Sequence, residues 1–156
     1  MIKSYAKINL SLNVLGRINS NLHKIETLVS FIDLNDEINI KKINKKNHKI
    51  YFYGKFAKGI PSKNTVSKLI NLMDKDNLLK GKKYLIKIKK NIPQKAGLGG
   101  GSMNAASLIR YFLSKKNLII NRNKLIKLSK KIGSDVNFGL KLNNAILLSN
   151  QNILRT

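Results

Sequence analysis

Residues 93–102 of the chain read PQKAGLGGGS, which places four glycines within five positions just before a stretch of helical periodicity. Glycine lets backbone N–H groups turn inward and approach a ligand closely. The start of a helix adds unpaired N–H donors and a partial positive charge. An ordinary turn needs only one or two glycines. We therefore interpret this stretch, called the glycine loop below, as a site for a polyphosphate.

The segments on either side of the glycine loop have clear periodicities. Alternating apolar residues at 84–88 predict a strand before it, and Ser102 is the predicted N-cap of the helix after it. The helix is marked by Ala105, Leu108, Ile109 and Phe112. The loop fits neither GxxxxGK[ST] nor GxGxxG with its acidic partner, so it predicts a different kind of phosphate site.

The chain before the glycine loop is rich in strand patterns. Strict alternation from Ala6 to Val14 predicts a strand with its apolar side buried and with Lys7 and Asn9 on its polar side. A loop is predicted from Gly16 to Lys24. Further strands are predicted at Thr27–Leu34, Glu37–Ile43 and Lys49–Tyr53, with a turn at Asn35-Asp36 between the first two.

Helical spacing predicts two more helices, at 64–79 and at 123–132, the second ended by Gly133. A last apolar run, Ala145–Leu148, predicts a strand. Strands come first and helices then alternate with strands, without a repeat or a linker. This order predicts a single α+β domain.

The composition limits the classes of function. The 156 residues include no cysteine and two separated histidines, so disulfides, thiolate metal sites and a zinc cluster are excluded and any metal must arrive with a ligand. The chain has no run of 18 apolar residues and its first residues do not resemble a signal peptide. We expect a cytoplasmic protein with no membrane partner.

The formal charge of +24 could indicate a nucleic-acid partner. Only four of the 31 basic residues are arginine, the side chain best suited to bidentate phosphate and base recognition, and the lysines are spread along the whole chain. We interpret the charge as a solvated surface that also attracts anionic nucleotides. The oligomeric state does not follow from the sequence.

Four segments together resemble a known family. The glycine loop resembles the second signature of the galactokinase, homoserine kinase and mevalonate kinase (GHMP) superfamily. Three others resemble its diphosphocytidyl-methylerythritol kinase branch: AKINL at 6–10 resembles the first strand motif, LHKIETL at 22–28 resembles Gly-Tyr-His-Xaa-Leu-Xaa-Thr, and GSDV at 133–136 resembles Gly-(Ala/Ser)-Asp-Val-Pro. The chain departs from the family pattern at Leu22, Met103 and Asn137.

The resemblance implies a ribosomal protein S5 domain 2-like fold, with residues 1–156 as the GHMP kinase N-terminal ATP-binding domain. It also implies that the second, ferredoxin-like domain of the family is absent, so we expect a fragment with negligible phosphotransfer of its own. The implied reaction is transfer of the ATP γ-phosphoryl group, with Mg²⁺ carried by the nucleotide, to the 2-hydroxyl of the methylerythritol part of a cytidine diphosphate alcohol. This reaction belongs to non-mevalonate isoprenoid precursor synthesis.

The resemblance also implies roles for individual residues. Asp135 would be the general base and Lys7 its cationic partner; by chemistry alone, a turn aspartate is an equally good interpretation of Asp135, and a surface lysine is the preferred interpretation of Lys7. Asn9, His23 and Phe31 would bind the substrate, although a loop histidine and a core phenylalanine are equally good interpretations. The implied nucleotide-binding residues are Asn64, Pro93, Gln94, Lys95, Ala96, Gly97, Leu98, Gly99, Gly100, Gly101, Ser102 and Met103. For Asn64, N-capping is an equally good interpretation.

Two other functions stay open at this stage. The chain could belong to another GHMP-type kinase that acts on an unrelated small alcohol. It could also be a basic RNA-binding module, because S5-type domains share the implied fold. The glycine loop argues against the second, since RNA binding does not require such a loop beside an aspartate and a lysine.

Overall fold

The computed structural model describes residues 1–19, 22–115, 118–142, 145–148 and 151–155, without the side chains at 17–25 and 143–156. The elements follow one another as β1 (Ile2–Asn19), β2 (Leu22–Ile43), β3 (Lys49–Tyr53), α1 (Thr65–Lys75), β4 (Lys83–Lys89), α2 (Gly100–Ser114), α3 (Arg122–Ile132), α4 (Val136–Lys141), β5 (Ala145–Leu148) and β6 (Gln151–Arg155).

The sheet is organised around the long strand β2. Its strand order is β3-β4-β2-β5-β6, and β1 runs antiparallel to β2 over most of its length. The C-terminal part of β2 pairs with β4 and its N-terminal part pairs with β5. Strand β3 is parallel to β4, and α1 lies between them in the chain, as a parallel pair requires.

The main core lies between the sheet and the helices. Ile38, Ile86 and Ile88 from the sheet are fully buried against apolar side chains of α1 and α2. The helix residues in this core include Val66, Leu69, Ile70, Met73, Leu108, Ile109 and Phe112. They are the residues whose helical spacing was visible in the sequence, and the predicted α+β class is confirmed.

Two predictions about the first hairpin are wrong. A loop was predicted from Gly16 to Lys24, but β1 extends to Asn19 and β2 begins at Leu22, so the described residues of this segment are strand. The predicted turn at Asn35-Asp36 lies inside β2, where the pairing shifts from Ala6↔Ile32 to Tyr5↔Asn35. This shift is a bulge, so turn-type residues occur within a strand that stays paired on both sides of it.

The predicted burial of the first strand is also wrong. Leu10, Leu12 and Val14 are 59%, 55% and 63% exposed, whereas Lys7 on the supposed polar side is only 6% exposed. Alternation shows that a strand has two chemically different faces, but which face is covered depends on what packs there. Here the glycine loop packs on Lys7, while the outer part of the hairpin exposes its leucines.

The helix starts agree with the sequence in one case and differ in the other. Asn64 caps α1 in a capping box, with its side chain accepting hydrogen bonds from the N–H groups of Val66 and Ser67. The predicted N-cap of α2, Ser102, is wrong: α2 is capped by Gly99, whose φ of +67° is left-handed. The helix therefore begins within the glycine run, which the sequence pattern did not reveal.

Helix α4 was not predicted, and it packs against α2 through a glycine. A Cβ placed on Gly139 would lie 2.6 Å from Cβ of Ala106 and 2.9 Å from Sδ of Met103. We expect Gly139→Ala to lower the free energy of unfolding by about 1–3 kcal/mol, the usual cost of overpacking. Urea unfolding followed by circular dichroism measures this change.

The control for this prediction is Lys141→Ala, on the same short helix but exposed. It should change the free energy of unfolding by less than about 0.5 kcal/mol. Equal stability of the Gly139 variant and the unmodified protein would show that the contact between α4 and α2 is looser than described.

Candidate active site

A cavity of about 420 Å³ lies between the glycine loop and the start of α1. Every residue from Pro93 to Ser102 lines it, as do Asn64 and Thr65 at the beginning of α1. Two lysines, Lys90 and Lys95, line the cavity, and no acidic side chain in the described residues does. The cavity wall therefore combines a glycine loop, the starts of two helices and two lysines, a set that suits an anionic ligand.

Side chains hold the glycine loop to neighbouring segments. The amide of Gln94 donates to the carbonyl oxygens of Phe56 and Lys58, each at 2.8 Å. The hydroxyl of Thr65 donates to the carbonyl oxygen of Gly101 at 2.8 Å, which ties the start of α1 to the first turn of α2. The loop is thus held at its beginning and at its end.

The two predicted catalytic side chains form an ion pair. Nζ of Lys7 lies 3.3 Å from Oδ2 of Asp135 and donates a hydrogen bond of 2.9 Å to Oδ1 of Asn9. The residues come from distant parts of the chain, since Lys7 is in β1 and Asp135 immediately precedes α4. Burial of the lysine makes this pair stronger than an exposed one, because less water screens it.

The ion pair adjoins the glycine loop without lining the cavity. The backbone N–H of Lys7 donates to the carbonyl oxygen of Leu98 at 3.0 Å, and a Cβ on Gly99 would lie 2.8 Å from Cγ of Lys7. A Cβ on Gly133, two residues before Asp135, would lie 3.3 Å from the hydroxyl of Ser102. Lys7 thus contacts the loop at Leu98 and Gly99, and the segment that leads to Asp135 lies beside Ser102 at the end of the loop.

Not all of the remaining predicted site residues lie at the cavity. Phe31 stands opposite Lys7 in the β1–β2 pairing and packs partly against Val29 and Phe138. His23 pairs with Arg17 through the backbone, but its side chain lies outside the described residues. Met103 does not line the cavity: its side chain is buried beside Val29.

The structure confirms that Asn64 is the N-cap of α1. Its Oδ1 accepts two backbone hydrogen bonds, and its Nδ2 donates to the carbonyl oxygen of Pro61 at 2.8 Å. Asn64 also lines the cavity. It therefore forms part of the cavity wall, although most of its side-chain hydrogen-bonding capacity is already satisfied within the protein.

Three residues near the cavity were missed by the sequence analysis: Asp36, Lys90 and Asn104. Asp36 is fully buried and ion-paired to the buried Lys90, and both Lys90 and Asn104 line the cavity. A signal for Asp36 did exist, since aspartate is rare inside strands and the chain has only seven acidic residues. Read locally, the Asn-Asp pair indicated a turn instead.

The site combines a glycine-rich cavity wall that carries two lysines with a carboxylate beside it. Within the described residues, no three His, Cys, Asp or Glu side chains are grouped as for a metal ion. Magnesium bound to a polyphosphate needs only one or two protein oxygens, and the hydroxyl-bearing Ser102 lines the cavity at the end of the loop. The donor set fits a metal that is held mainly by its nucleotide.

The family model described as GHMP kinases N terminal domain matches residues 64–143, which is more than half of the chain. The chain belongs to the GHMP kinase family. The match covers α1, the glycine loop and Asp135, while Lys7 lies before the matched residues.

Two curated relatives of the chain carry the same name. It is 57% identical to the 4-diphosphocytidyl-2-C-methyl-D-erythritol kinase of Pelagibacter ubique (strain HTCC1062), over 97% of this chain and 54% of that protein, in its N-terminal half. It is 37% identical to the enzyme of the same name from Thermotoga maritima, over 69% of this chain and 38% of that protein. The chain thus spans about half the length of these relatives, or less.

Solved structures agree with the fold. A crystal structure of 4-(cytidine 5'-diphospho)-2C-methyl-D-erythritol kinase superposes with a TM-score of 0.78 at 24% identity, covering 99% of this chain and 53% of that one. The mevalonate kinase of Methanococcus jannaschii superposes with a TM-score of 0.64 at 15% identity, covering 96% and 53%. Among the helices that the structure describes, none has the length and apolar character needed to cross a membrane.

Proposed function

We propose that the protein containing this chain transfers the γ-phosphoryl group of ATP to the 2-hydroxyl of 4-diphosphocytidyl-2-C-methyl-D-erythritol. The observation that carries the proposal is the placement of the Lys7–Asp135 ion pair directly against a glycine loop that lines an anion-suited cavity. Similarity to relatives of that name supports the choice of substrate. Residues 1–156 would supply the nucleotide site and the catalytic pair.

In the proposed reaction, Asp135 accepts the proton of the substrate hydroxyl. The hydroxyl oxygen then forms a bond to the γ-phosphorus, the bond from that phosphorus to the β,γ-bridging oxygen breaks, and ADP leaves with the electron pair. Lys7 stabilises the developing negative charge and holds the carboxylate in place. Magnesium carried by ATP neutralises phosphate charge when bound.

The glycine loop would bind the triphosphate through its backbone N–H groups. Left-handed backbone at Gly97 and Gly99, with φ of +73° and +67°, lets successive amides converge on one ligand. The first amides of α2 lie immediately after them and have no partner within the helix. Asn9 and Phe31, both close to Lys7, would contact the acceptor alcohol or its cytidine group.

Calorimetric titration of the full-length protein, first with a magnesium-bound nonhydrolysable ATP analogue and then with the cytidine diphosphate alcohol, tests the proposal. We expect both to bind, and ADP release with ATP to depend on the alcohol. ATP binding without any effect of the cytidine compound would favour another GHMP-type kinase. RNA binding that persists at moderate salt, without ATP binding, would reject kinase function.

A further inference from the structure

We propose that Asp36 is the positioning residue of the glycine loop and sets its nucleotide affinity without touching the nucleotide. The inference rests on the proposed function, because it takes the loop to be the nucleotide site. Asp36 lies inside β2 with no exposed surface and does not line the cavity. Whatever it does for binding must pass through the residues it contacts.

One oxygen of Asp36 holds the chain where it enters the glycine loop. Oδ1 accepts hydrogen bonds from the backbone N–H groups of Asn91 at 2.8 Å and Ile92 at 2.9 Å. These are the last residues before Pro93, where the loop begins. A carboxylate that accepts two backbone hydrogen bonds in the interior fixes the direction of that segment strongly.

The other oxygen of Asp36 holds the chain where it leaves the loop. Oδ2 accepts a hydrogen bond of 3.0 Å from the side-chain amide of Asn104, in the second turn of α2, and pairs with the ammonium of Lys90. A single carboxylate is therefore bonded on both sides of the ten loop residues 93–102. The loop is closed across its base by this side chain.

The ion pair between Lys90 and Asp36 lies next to Gly100 of the loop. Nζ of Lys90 would be 3.4 Å from a Cβ on Gly100, so the ammonium is positioned against the backbone of the loop. Both Lys90 and Asn104 line the cavity, and Asn104 has a buried Oδ1 without a hydrogen-bond partner among the described residues. The carboxylate thus holds two wall residues of the cavity as well as the backbone.

The pattern of contacts distinguishes positioning from general core stabilisation. The hydrogen bonds and ion pair of Asp36 connect it to residues 90–92 and 104, which flank the loop. Asp74 offers a contrast, since it pairs with Lys83 and His48, and none of these three residues lines the cavity. Loss of Asp36 should therefore change the loop, and loss of Asp74 should change only stability.

The test compares Asp36→Asn with Asp74→Asn in the full-length protein. Because Asp36→Asn removes the charge that holds both sides of the loop, we expect it to raise the Kd of an ATP analogue and the KM for ATP by roughly 10-fold or more. The KM for the alcohol at saturating ATP should stay within about 2-fold. Amide hydrogen exchange at 94–102 should become faster without ligand.

Asp74→Asn should lower thermal stability and leave the nucleotide Kd and the exchange of the loop amides unchanged. If Asp36→Asn leaves Lys90 unpaired and prevents folding, the charge-balanced variant Asp36→Asn with Lys90→Met carries the exchange measurement. Loop exchange and nucleotide Kd equal to those of the unmodified protein would overturn the proposal. Identical changes in the Asp74 variant would also overturn it, because they would show general destabilisation.

The exchange measurement separates this proposal from the proposed function. If the unmodified protein binds no ATP analogue, the proposed function fails, while faster exchange of 94–102 in the Asp36 variant still supports the positioning role. If the unmodified protein binds ATP and the Asp36 variant binds it equally well with unchanged loop exchange, the function stands and the positioning role is wrong.

Discussion

Replacing Asp135 by asparagine in the full-length protein is expected to lower kcat by ~10²-fold or more, the usual contribution of a general base. The amide keeps the shape of the side chain but cannot take the proton of the acceptor hydroxyl. Because Asp135 does not line the nucleotide cavity, the KM for ATP should change far less. Steady-state measurement of ADP release at saturating substrates gives both values.

The matched control is Asp33→Asn, which makes the same chemical change on a side chain that is 86% exposed. Its kcat should equal that of the unmodified protein. The companion change Lys7→Ala removes the partner at 3.3 Å and should lower kcat by a similar ~10²-fold. A near-normal kcat for either catalytic variant would show that the assignment of that residue is wrong.

The double variant of Lys7 and Asp135 gives a further check of the pair. Groups that act as a unit lose most of their effect when the first is removed, so the double variant should be little slower than either single one. Strictly multiplicative losses would indicate two independent roles. In that case the ion pair seen in the structure would not be the working arrangement.

The glycine loop could be predicted because its chemistry is local. Four glycines within five residues permit an unusual backbone, and the structure shows left-handed φ at Gly97 and Gly99. The helix after the loop could also be predicted, since its spacing reflects one continuous buried face. Its starting residue could not, because both Gly99 and Ser102 are acceptable N-caps by type.

The partners of Lys7 could not be derived from local patterns. Its burial depends on the packing of the loop at Leu98 and Gly99, more than 90 positions away in the chain. The alternation of β1 favoured the opposite result, with Leu10 and Leu12 inside. The family resemblance favoured catalytic roles for Lys7 and Asp135, and the structure brings the two together.

The predicted turn at Asp36 was wrong for a related reason. The turn propensity of Asn-Asp is a property of a few residues, while the role of the carboxylate depends on donors that are 54 to 68 positions further along. The bulge in β2 near this point explains why turn-type residues are tolerated there. The buried polar network is thus the part of this site that is hardest to predict from a single sequence.

The second large effect is expected from Gly99→Ala, because one methyl group would disturb the loop and the proposed catalytic lysine, Lys7, together. The φ of Gly99 is +67°, which costs an alanine about 1 kcal/mol or more. Its Cβ would lie 2.8 Å from Cγ and 3.2 Å from Cε of Lys7. Lys7 cannot simply retreat, since its backbone is bonded to Leu98 and its side chain is buried.

We therefore expect Gly99→Ala to move the ammonium of Lys7 away from Asp135 and to lower kcat by ~10²-fold, the scale of a misplacement of about 1 Å in an active site. The control is Gly59→Ala, with a comparable φ of +82° but no atom within 4 Å of the added Cβ and no place in the cavity wall. It has the same backbone strain without the collision, so it should lose stability and keep kcat. If both variants keep kcat, the contact between the glycine loop and Lys7 does not position the catalytic pair; if both lose it equally, backbone strain alone accounts for the effect.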